Sequence, residues 1–170
     1  MFRRTPKVEP APEPVARTSV LDRLDRSSRP VLAAAEAQAQ ADGSAEIEGH
    51  HLLLALTAVA TPVAWSLATK GLDEATLRDV LDRRCGVPHP PSDRRTPLLP
   101  VPGAPRVPFS EPAKTVLIAA ARVASRRERA RIMPSDLALA VLAGETPTVI
   151  AALDDLGLDR TTLARALAQA

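Results

Sequence analysis

The chain has 170 residues, of which 45% are hydrophobic, so it is near the usual size of one domain and can form a core. Its 22 basic and 20 acidic residues nearly cancel, and no charge excess directs the whole chain to nucleic acid or to a membrane. The single cysteine, Cys85, excludes an intramolecular disulfide and a cysteine-rich metal site. The sequence lacks both a signal-type apolar segment and an apolar run of about 18 residues, so we expect a soluble, cytoplasmic protein.

Residues 1–17 carry four prolines among charged residues and are predicted to form a disordered tail. Residues 18–170 are predicted to form one domain with two lobes, of which lobe one spans 27–84. Apolar periodicity and capping residues predict four helices in lobe one. Their expected starts are Ser27 or Ser28, His51, the pair Thr61-Pro62, and Asp73.

The segment 86–108 contains eight prolines in 23 residues, which is typical of an extended and semi-rigid linker. Lobe two then spans 109–170 and repeats the plan of lobe one. Its four helices are expected to begin at Ser110, at Pro134, at Thr146-Pro147 and at Asp159.

The two lobes carry the same sequence pattern. Residues 71–81 and 157–167 both fit G-L-D-x-x-T-L-x-x-x-L, 86 positions apart, while Ile47 and Ile132 are 85 positions apart. This spacing predicts a tandem duplication in which the first copy lacks one residue between Leu56 and Gly71. Because a lobe of about 55 residues buries little surface alone, we expect an all-α fold in which two four-helix repeats pack as one pseudo-twofold domain.

This layout resembles the N-terminal Clp R repeat domain of the Clp-type AAA+ unfoldases. That family reads F-T-x-R-A-x-K-V-L, then I/V-G-T-E-H-x-L-L-G-L, then G-V-A-A-x-V-L-x-x-L-G-V, all of it twice. Lobe two follows this order from F-S-E-P-A-K-T-V-L at Phe109 to Leu156-Gly157-Leu158, and the resemblance covers residues 24–170. It implies a non-enzymatic module without a cofactor, whose partners are a Clp unfoldase or its substrates and degron peptides.

The chain departs from the family pattern in two respects. His50 and Ser135 stand where the family's G-T-E-H glutamate receives the guanidinium of phosphoarginine, so we expect no recognition of that tag. There is also no G-x-x-x-x-G-K-[ST] phosphate loop. We therefore expect a free-standing domain that hydrolyses no ATP and acts as an adaptor, decoy or antagonist.

The start of lobe two carries a candidate peptide site. In actinobacterial unfoldases of this family, cyclic peptide antibiotics dock on the phenylalanine and first lysine of the second repeat. Phe109 and Lys114 match those residues, and Ile118 replaces an acidic neighbour. The resemblance thus implies peptide binding at these three residues, and an alternative role as a sponge for cyclic peptides. The competing interpretation is that Phe109 fills the core between the lobes.

A basic cluster at 122–131 allows a further alternative, a nucleic-acid-associated protein. The cluster comprises Arg122, Arg126, Arg127, Arg129 and Arg131. Cations near a helix C-terminus also suit the helix dipole, and no aromatic residue is interleaved for base stacking, so a solvated face is favoured.

His50 and His51 beside Glu48 suggest a metal site only weakly. Neighbouring helical side chains diverge by about 100°, and no third ligand is evident. His51 matches the family's helix-start histidine, which indicates a capping or packing role. No set of residues for nucleophilic or acid–base catalysis is apparent, and we expect no metal and no enzymatic activity.

Overall fold

The computed structural model describes residues 19–86, 99–100, 103 and 106–169. Within those residues it contains eight α-helices, one short 3₁₀ helix over Val20–Arg23, and no strand beyond two isolated bridges. The α-helices are α1 (Ser28–Ala41), α2 (Gly49–Ala58), α3 (Pro62–Ala68), α4 (Glu74–Cys85), α5 (Glu111–Arg126), α6 (Pro134–Ala143), α7 (Pro147–Asp155) and α8 (Arg160–Gln169). The predicted all-α fold of two four-helix repeats is confirmed. The predicted tail 1–17 and most of the linker 86–108 lie outside the described residues.

Side-chain caps explain where several helices begin. The side chains of Thr61, Asp73 and Ser110 each accept a hydrogen bond from the backbone N–H three residues later, at the starts of α3, α4 and α5. Ser27 also stands at an N-cap, but its hydroxyl instead donates to Asp25 at 2.6 Å. The prediction for α2 was wrong by two residues, because the helix begins at Gly49.

The helices of the two repeats correspond in order and position. Helices α2 and α6 begin at Gly49 and Pro134, which are 85 positions apart, whereas α4 and α8 begin at Glu74 and Arg160, which are 86 apart. The change of spacing falls in the third helix of each repeat, where α3 has 7 residues and α7 has 9.

Two reciprocal backbone bridges join the lobes. Leu24, before α1, pairs with Ile132, in the loop between α5 and α6; Phe109, before α5, pairs with Ile47, in the loop between α1 and α2. The amide of Ile132 donates to the Arg23 carbonyl at 2.8 Å, and the amide of Ile47 donates to the Pro108 carbonyl at 2.7 Å. Because the paired residues correspond between the repeats, the two bridges follow the pseudo-twofold symmetry.

The two lobes share one hydrophobic core. Helices α2 and α6 pack on each other, α3 packs on α8, and α4 packs on α7. Leu52, Leu54 and Leu137 are at most 1% exposed. No single described helix is long and apolar enough to cross a membrane; the bent pairs α2–α3 and α6–α7 reach that length and composition only together.

One polar side chain in this core lacks a hydrogen-bond partner among the described residues. Gln38 of α1 is fully buried, and neither its amide nitrogen nor its amide oxygen is hydrogen-bonded. At the equivalent position in lobe two, 85 residues later, the chain has the apolar Val123. Burial of an unsatisfied amide typically costs about 1–3 kcal/mol, so Gln38 is a local source of instability.

We expect Gln38→Met, which nearly conserves volume, to raise the free energy of unfolding by about 1 kcal/mol, since it removes the unsatisfied amide. Urea unfolding followed by far-UV circular dichroism measures this change. Gln40→Met is the matched control on the same helix: Gln40 is partly exposed and has polar interactions, so no gain is expected there. A loss of stability in Gln38→Met would show that the amide is satisfied.

Candidate functional site

The structure gives Phe109 features of both roles that the sequence left open, a peptide-binding residue and a core residue. It is half-buried and packs against the core, where its backbone is held beside Ile47. Its side chain also lines a cavity of about 590 Å³ between α1 and the segment that precedes α5. Phe109 is therefore both a packing residue and part of a cavity wall.

The cavity is apolar on one side and charged at its edge. Leu24 and Leu32 form part of an apolar wall, and Glu36 supplies the carboxylate of the lining. The side chain of Glu36 is 10% exposed, lies 3.6 Å from an Arg106 guanidinium nitrogen, and accepts a 3.3 Å hydrogen bond from the Val107 amide. These contacts tie the segment before α5 to α1 at the rim of the cavity.

Lys114 and Ile118 do not line this cavity. Both are exposed on α5, and Ile118, at 46% exposure, is one of the large apolar side chains on the surface. The Lys114 ammonium lies 2.5 Å from a Glu111 carboxylate oxygen, and that hydrogen bond raises the pKa of Lys114. The structure thus separates the three predicted peptide-site residues into a cavity residue and two residues on an exposed helix face.

His51 is part of the start of α2. Its Nδ1 accepts a 2.9 Å hydrogen bond from the Glu48 amide, so Nε2 carries the proton and donates to Asp42 at 2.7 Å. Sequence spacing alone did not reveal this partner, because Asp42 comes nine residues earlier, across the turn that ends α1.

Asp42, His50 and His51 place their potential ligand atoms within 4.8 Å of one another. A metal at this position would have to displace the Nε2 proton of His51 while Nδ1 remains hydrogen-bonded to the backbone. A neutral imidazole offers only one lone pair, so His51 fits a capping role better than a ligand role.

In lobe two, the corresponding helix α6 begins with the same kind of hydrogen bond, but the residue that accepts it is acidic and its partner is basic. Asp136 occupies the position of His51, and its carboxylate accepts a 2.9 Å hydrogen bond from the Met133 amide at the start of α6. Arg127 occupies the position of Asp42, and its guanidinium lies 3.6 Å from the fully buried Asp136 carboxylate, as does that of Arg129.

Three arginines of the predicted basic cluster therefore have contacts within the fold. Arg127 and Arg129 approach Asp136, and Arg131 donates a 2.8 Å hydrogen bond to the Asp22 carbonyl. Arg122 and Arg126 are exposed on α5. The cluster is thus divided between structural residues and an outward face.

Cys85 is not arranged as a nucleophile. Cys85 is exposed, yet desolvation of its thiol, followed by the negative charges of Asp42 and Glu48, raises the pKa of that thiol. The thiol is protonated near neutral pH, whereas nucleophilic cysteines are activated by a lowered pKa.

The exposure of Trp65 was not evident from the sequence. This side chain is 74% exposed on α3 and borders a shallow groove of about 240 Å³ with Ala60, Ala64 and Ala68. A tryptophan at this spacing in a helix would ordinarily be assigned to the core, and only the tertiary packing places it outside.

Solved structures share this fold, although no protein-family model and no curated protein matches the sequence. The N-terminal domain of the caseinolytic protease associated chaperone ClpD from Arabidopsis thaliana has a TM-score of 0.71 at 19% identity, covering 90% of this chain and 97% of that domain. The fold is that of a Clp N-terminal domain. The family resemblance in the sequence is therefore confirmed at the level of the fold.

Two further structures agree with the Clp N-terminal fold. The Hsp104 N-terminal domain of Candida albicans has a TM-score of 0.65 at 13% identity, covering 85% of this chain and 88% of that one. A malarial protein studied as part of a protein secretion system has a TM-score of 0.65 at 15% identity, covering 86% and 93%.

The contact between Asp42 and His51 gives a pH-dependent prediction. Burial alone would raise the pKa of Asp42, but hydrogen bonds from Ser44 and His51 outweigh it and hold the pKa below its ordinary value. A carboxylate with a lowered pKa stabilises the folded state above its unfolded pKa, and this stabilisation is lost as pH falls. We therefore expect Asp42→Asn to reduce the free energy of unfolding at pH 7, and the difference from wild type to shrink below about pH 4.

Chemical denaturation at pH 7, 5 and 3.5 measures this difference. Asp155→Asn is the comparison variant: the Arg84 guanidinium lowers the pKa of Asp155 as well, but both side chains are exposed, so a smaller effect at neutral pH is expected. An equal loss in the two variants would contradict the importance assigned to the buried contact.

Proposed function

We propose that this chain is a non-enzymatic peptide- or protein-binding module of the Clp proteolytic system, which acts as an adaptor, decoy or antagonist of a Clp unfoldase. The observation that carries the proposal is the Clp N-terminal fold, matched over 90% of the chain. The half-buried Phe109 beside its cavity is the proposed binding position on that fold.

The cavity offers a peptide both apolar and polar contacts. An apolar side chain entering it would contact the ring of Phe109 and the Leu24 and Leu32 side chains. Glu36 at its edge is a hydrogen-bond acceptor for a peptide N–H. Lys114 lies outside the cavity on the exposed side of α5, where it could donate to a carbonyl of a peptide that extends beyond the cavity. This combination suits a short apolar segment, such as a degron, whose backbone N–H and C=O groups are available for hydrogen bonds.

The test is degradation of a model substrate by the Clp unfoldase and protease of the source organism, with the purified chain added at increasing concentration. An adaptor accelerates degradation, an antagonist slows it at every substrate concentration, and a decoy slows it in a way that excess substrate relieves. No effect on degradation, together with no binding to the unfoldase or to the substrate in calorimetry, would overturn the proposal.

We expect Phe109→Leu to weaken binding of the captured partner or peptide with little change in stability. Leucine fits the equivalent position of lobe one, where Leu24 makes the same backbone bridge, so the core contacts are retained. Interface aromatics commonly contribute about 2 kcal/mol to binding.

Phe109→Ala is the companion variant. Because Phe109 is half-buried, we expect its truncation to cost about 2 kcal/mol of stability, which is less than the roughly 3–5 kcal/mol of a fully buried phenylalanine. Thermal unfolding and calorimetry, measured on both variants, separate the two effects. Unchanged binding in Phe109→Leu would leave Phe109 with a packing role alone.

A second candidate within the same site is a sponge for cyclic peptides that target the unfoldase. The match of Phe109 and Lys114 to the family residues on which such peptides dock supports it, although Lys114 lies outside the cavity that Phe109 lines. Calorimetry with such a cyclic peptide tests it directly, with Phe109→Leu as the variant expected to bind less. The nucleic-acid alternative has less support, because Arg127, Arg129 and Arg131 have contacts within the fold.

We expect phosphoarginine peptides to bind no better than the same peptides with arginine. His50 is buried, and the Ser135 hydroxyl lies 3.5 Å from an Arg129 guanidinium nitrogen, so neither position offers a carboxylate to the incoming guanidinium. Calorimetry with paired peptides measures the preference. Clear selectivity that disappears in Ser135→Ala would contradict this expectation.

A further inference from the structure

We propose that the exposed face of α5 binds an acidic segment of a partner protein that carries one apolar side chain. The face consists of Lys114, Ile118, Arg122 and Arg126, and we call it the α5 stripe. The inference goes beyond the proposed function: the stripe shares Lys114 and Ile118 with the peptide site predicted from the sequence, but it adds Arg122 and Arg126 and depends neither on the Phe109 cavity nor on a Clp partner.

The α5 stripe is one continuous surface. Its four residues are spaced four apart, which places them along a single side of the helix, and all four are exposed. The sequence had assigned Lys114 and Ile118 to a peptide site and Arg122 and Arg126 to a separate basic cluster. The structure brings the two pairs onto the same face.

Ile118 lies at the centre of the stripe in a shallow groove. The groove has a volume of about 370 Å³, and Ile118 and Ala121 contribute its apolar lining. Arg23, Arg122 and Arg126 surround these residues. Arg23 is held in place, since its guanidinium donates to the Ser125 hydroxyl at 3.2 Å. An apolar contact ringed by guanidinium groups is thus available on the surface.

The charges on the stripe are not balanced within the described part of the chain. The Lys114 ammonium forms an ion pair with the Glu111 carboxylate. Neither Arg122 nor Arg126 has a described carboxylate within ion-pair distance, in contrast to Arg127 and Arg129, which approach Asp136. The two guanidinium groups therefore face solvent with their bidentate hydrogen-bonding capacity available for carboxylates.

The chain's own remaining segments do not complement this surface. Residues 1–18 contain four basic side chains and two acidic ones, and residues 87–98 contain two arginines and one aspartate. Each segment has the same sign of charge as the stripe, so its attraction to the stripe is weak. Neither segment is therefore the acidic occupant proposed for the stripe.

A protein segment fits the stripe better than nucleic acid does. The apolar Ile118 interrupts the line of cations, and no aromatic side chain lies on the stripe for base stacking. Successive stripe residues are about 6 Å apart along the helix axis. An acidic helix with carboxylates at the same spacing and one leucine between them would meet both arginines and Ile118 at once.

The experiment uses a fluorescein-labelled acidic peptide of glutamate and alanine with one central leucine, titrated with the full chain and followed by anisotropy. Matched probes are the same peptide with glutamine for leucine, the same peptide with lysine for glutamate, and a single-stranded oligouridine of similar charge. We expect the leucine-containing acidic peptide to bind best, the glutamine peptide several-fold less well, and the lysine peptide not at all.

The double variant R122Q/R126Q should weaken binding of the acidic peptide about tenfold or more, because two charge-assisted contacts are lost. I118Q should weaken it several-fold and abolish the advantage of the leucine peptide. The control is R83Q/R165Q, which removes the same charge from exposed residues of α4 and α8, with less than a twofold change expected.

Three outcomes would overturn the inference. They are tighter binding of oligouridine than of the acidic peptide, equal losses in R122Q/R126Q and R83Q/R165Q, and no binding of the acidic peptide to the wild-type chain. Phe109→Leu should bind the acidic peptide as tightly as wild type, because it leaves the stripe unchanged. This variant therefore distinguishes a failure of the cavity proposal from a failure of the stripe proposal. Circular dichroism checks that each variant keeps its helices.

Discussion

The reciprocal pairing of each lobe with the other is the constraint on which the rest of the structure depends. The segment before the first helix of one lobe hydrogen-bonds to the loop after the first helix of the other, at Leu24 with Ile132 and at Phe109 with Ile47. Both isoleucines are at most 2% exposed, so each bridge also closes the hydrophobic core. A repeat of this size buries too little surface alone, and its missing surface is supplied by its counterpart.

The position of the candidate site follows from that pairing. The bridge holds the backbone of Phe109 beside Ile47, and the half-buried ring packs against the core while it lines the cavity. The same bridge lies directly before the Ser110 cap of α5, the helix whose exposed side carries the α5 stripe. The cavity and the α5 stripe thus arise from one junction, although they offer different chemistry.

Helix order and repeat spacing could be predicted from the sequence, because apolar periodicity and caps such as Asp73 and Ser110 act locally. The start of α2 could not, because it depends on a histidine cap that is oriented by Asp42 across a turn. The exposure of Phe109, Ile118 and Trp65 could not be predicted from the sequence either, since burial depends on neighbours that are distant in the chain. Phe109, Lys114 and Ile118 could be named as candidates from the sequence, but their division between a cavity and an exposed helix face required the fold.

The two lobes differ in charge at the starts of α2 and α6, although the backbone hydrogen bond there is the same. In lobe one a histidine at the start of α2 donates to an aspartate, and in lobe two an aspartate at the start of α6 faces two arginines. Both arrangements satisfy the same backbone amide. The duplicated fold therefore fixes the hydrogen bond that must be made and leaves the sign of the charge free to change.

The reciprocal bridges have a consequence for assembly. Each lobe presents a segment and a loop that are completed by the other lobe, and nothing in that contact requires the two lobes to belong to the same chain. Two molecules that exchange lobes would form the same hydrogen bonds and bury the same core, which is the geometry of a domain-swapped dimer. Pairing within one chain is favoured over pairing between two because covalent linkage gives each lobe a high effective concentration of the other.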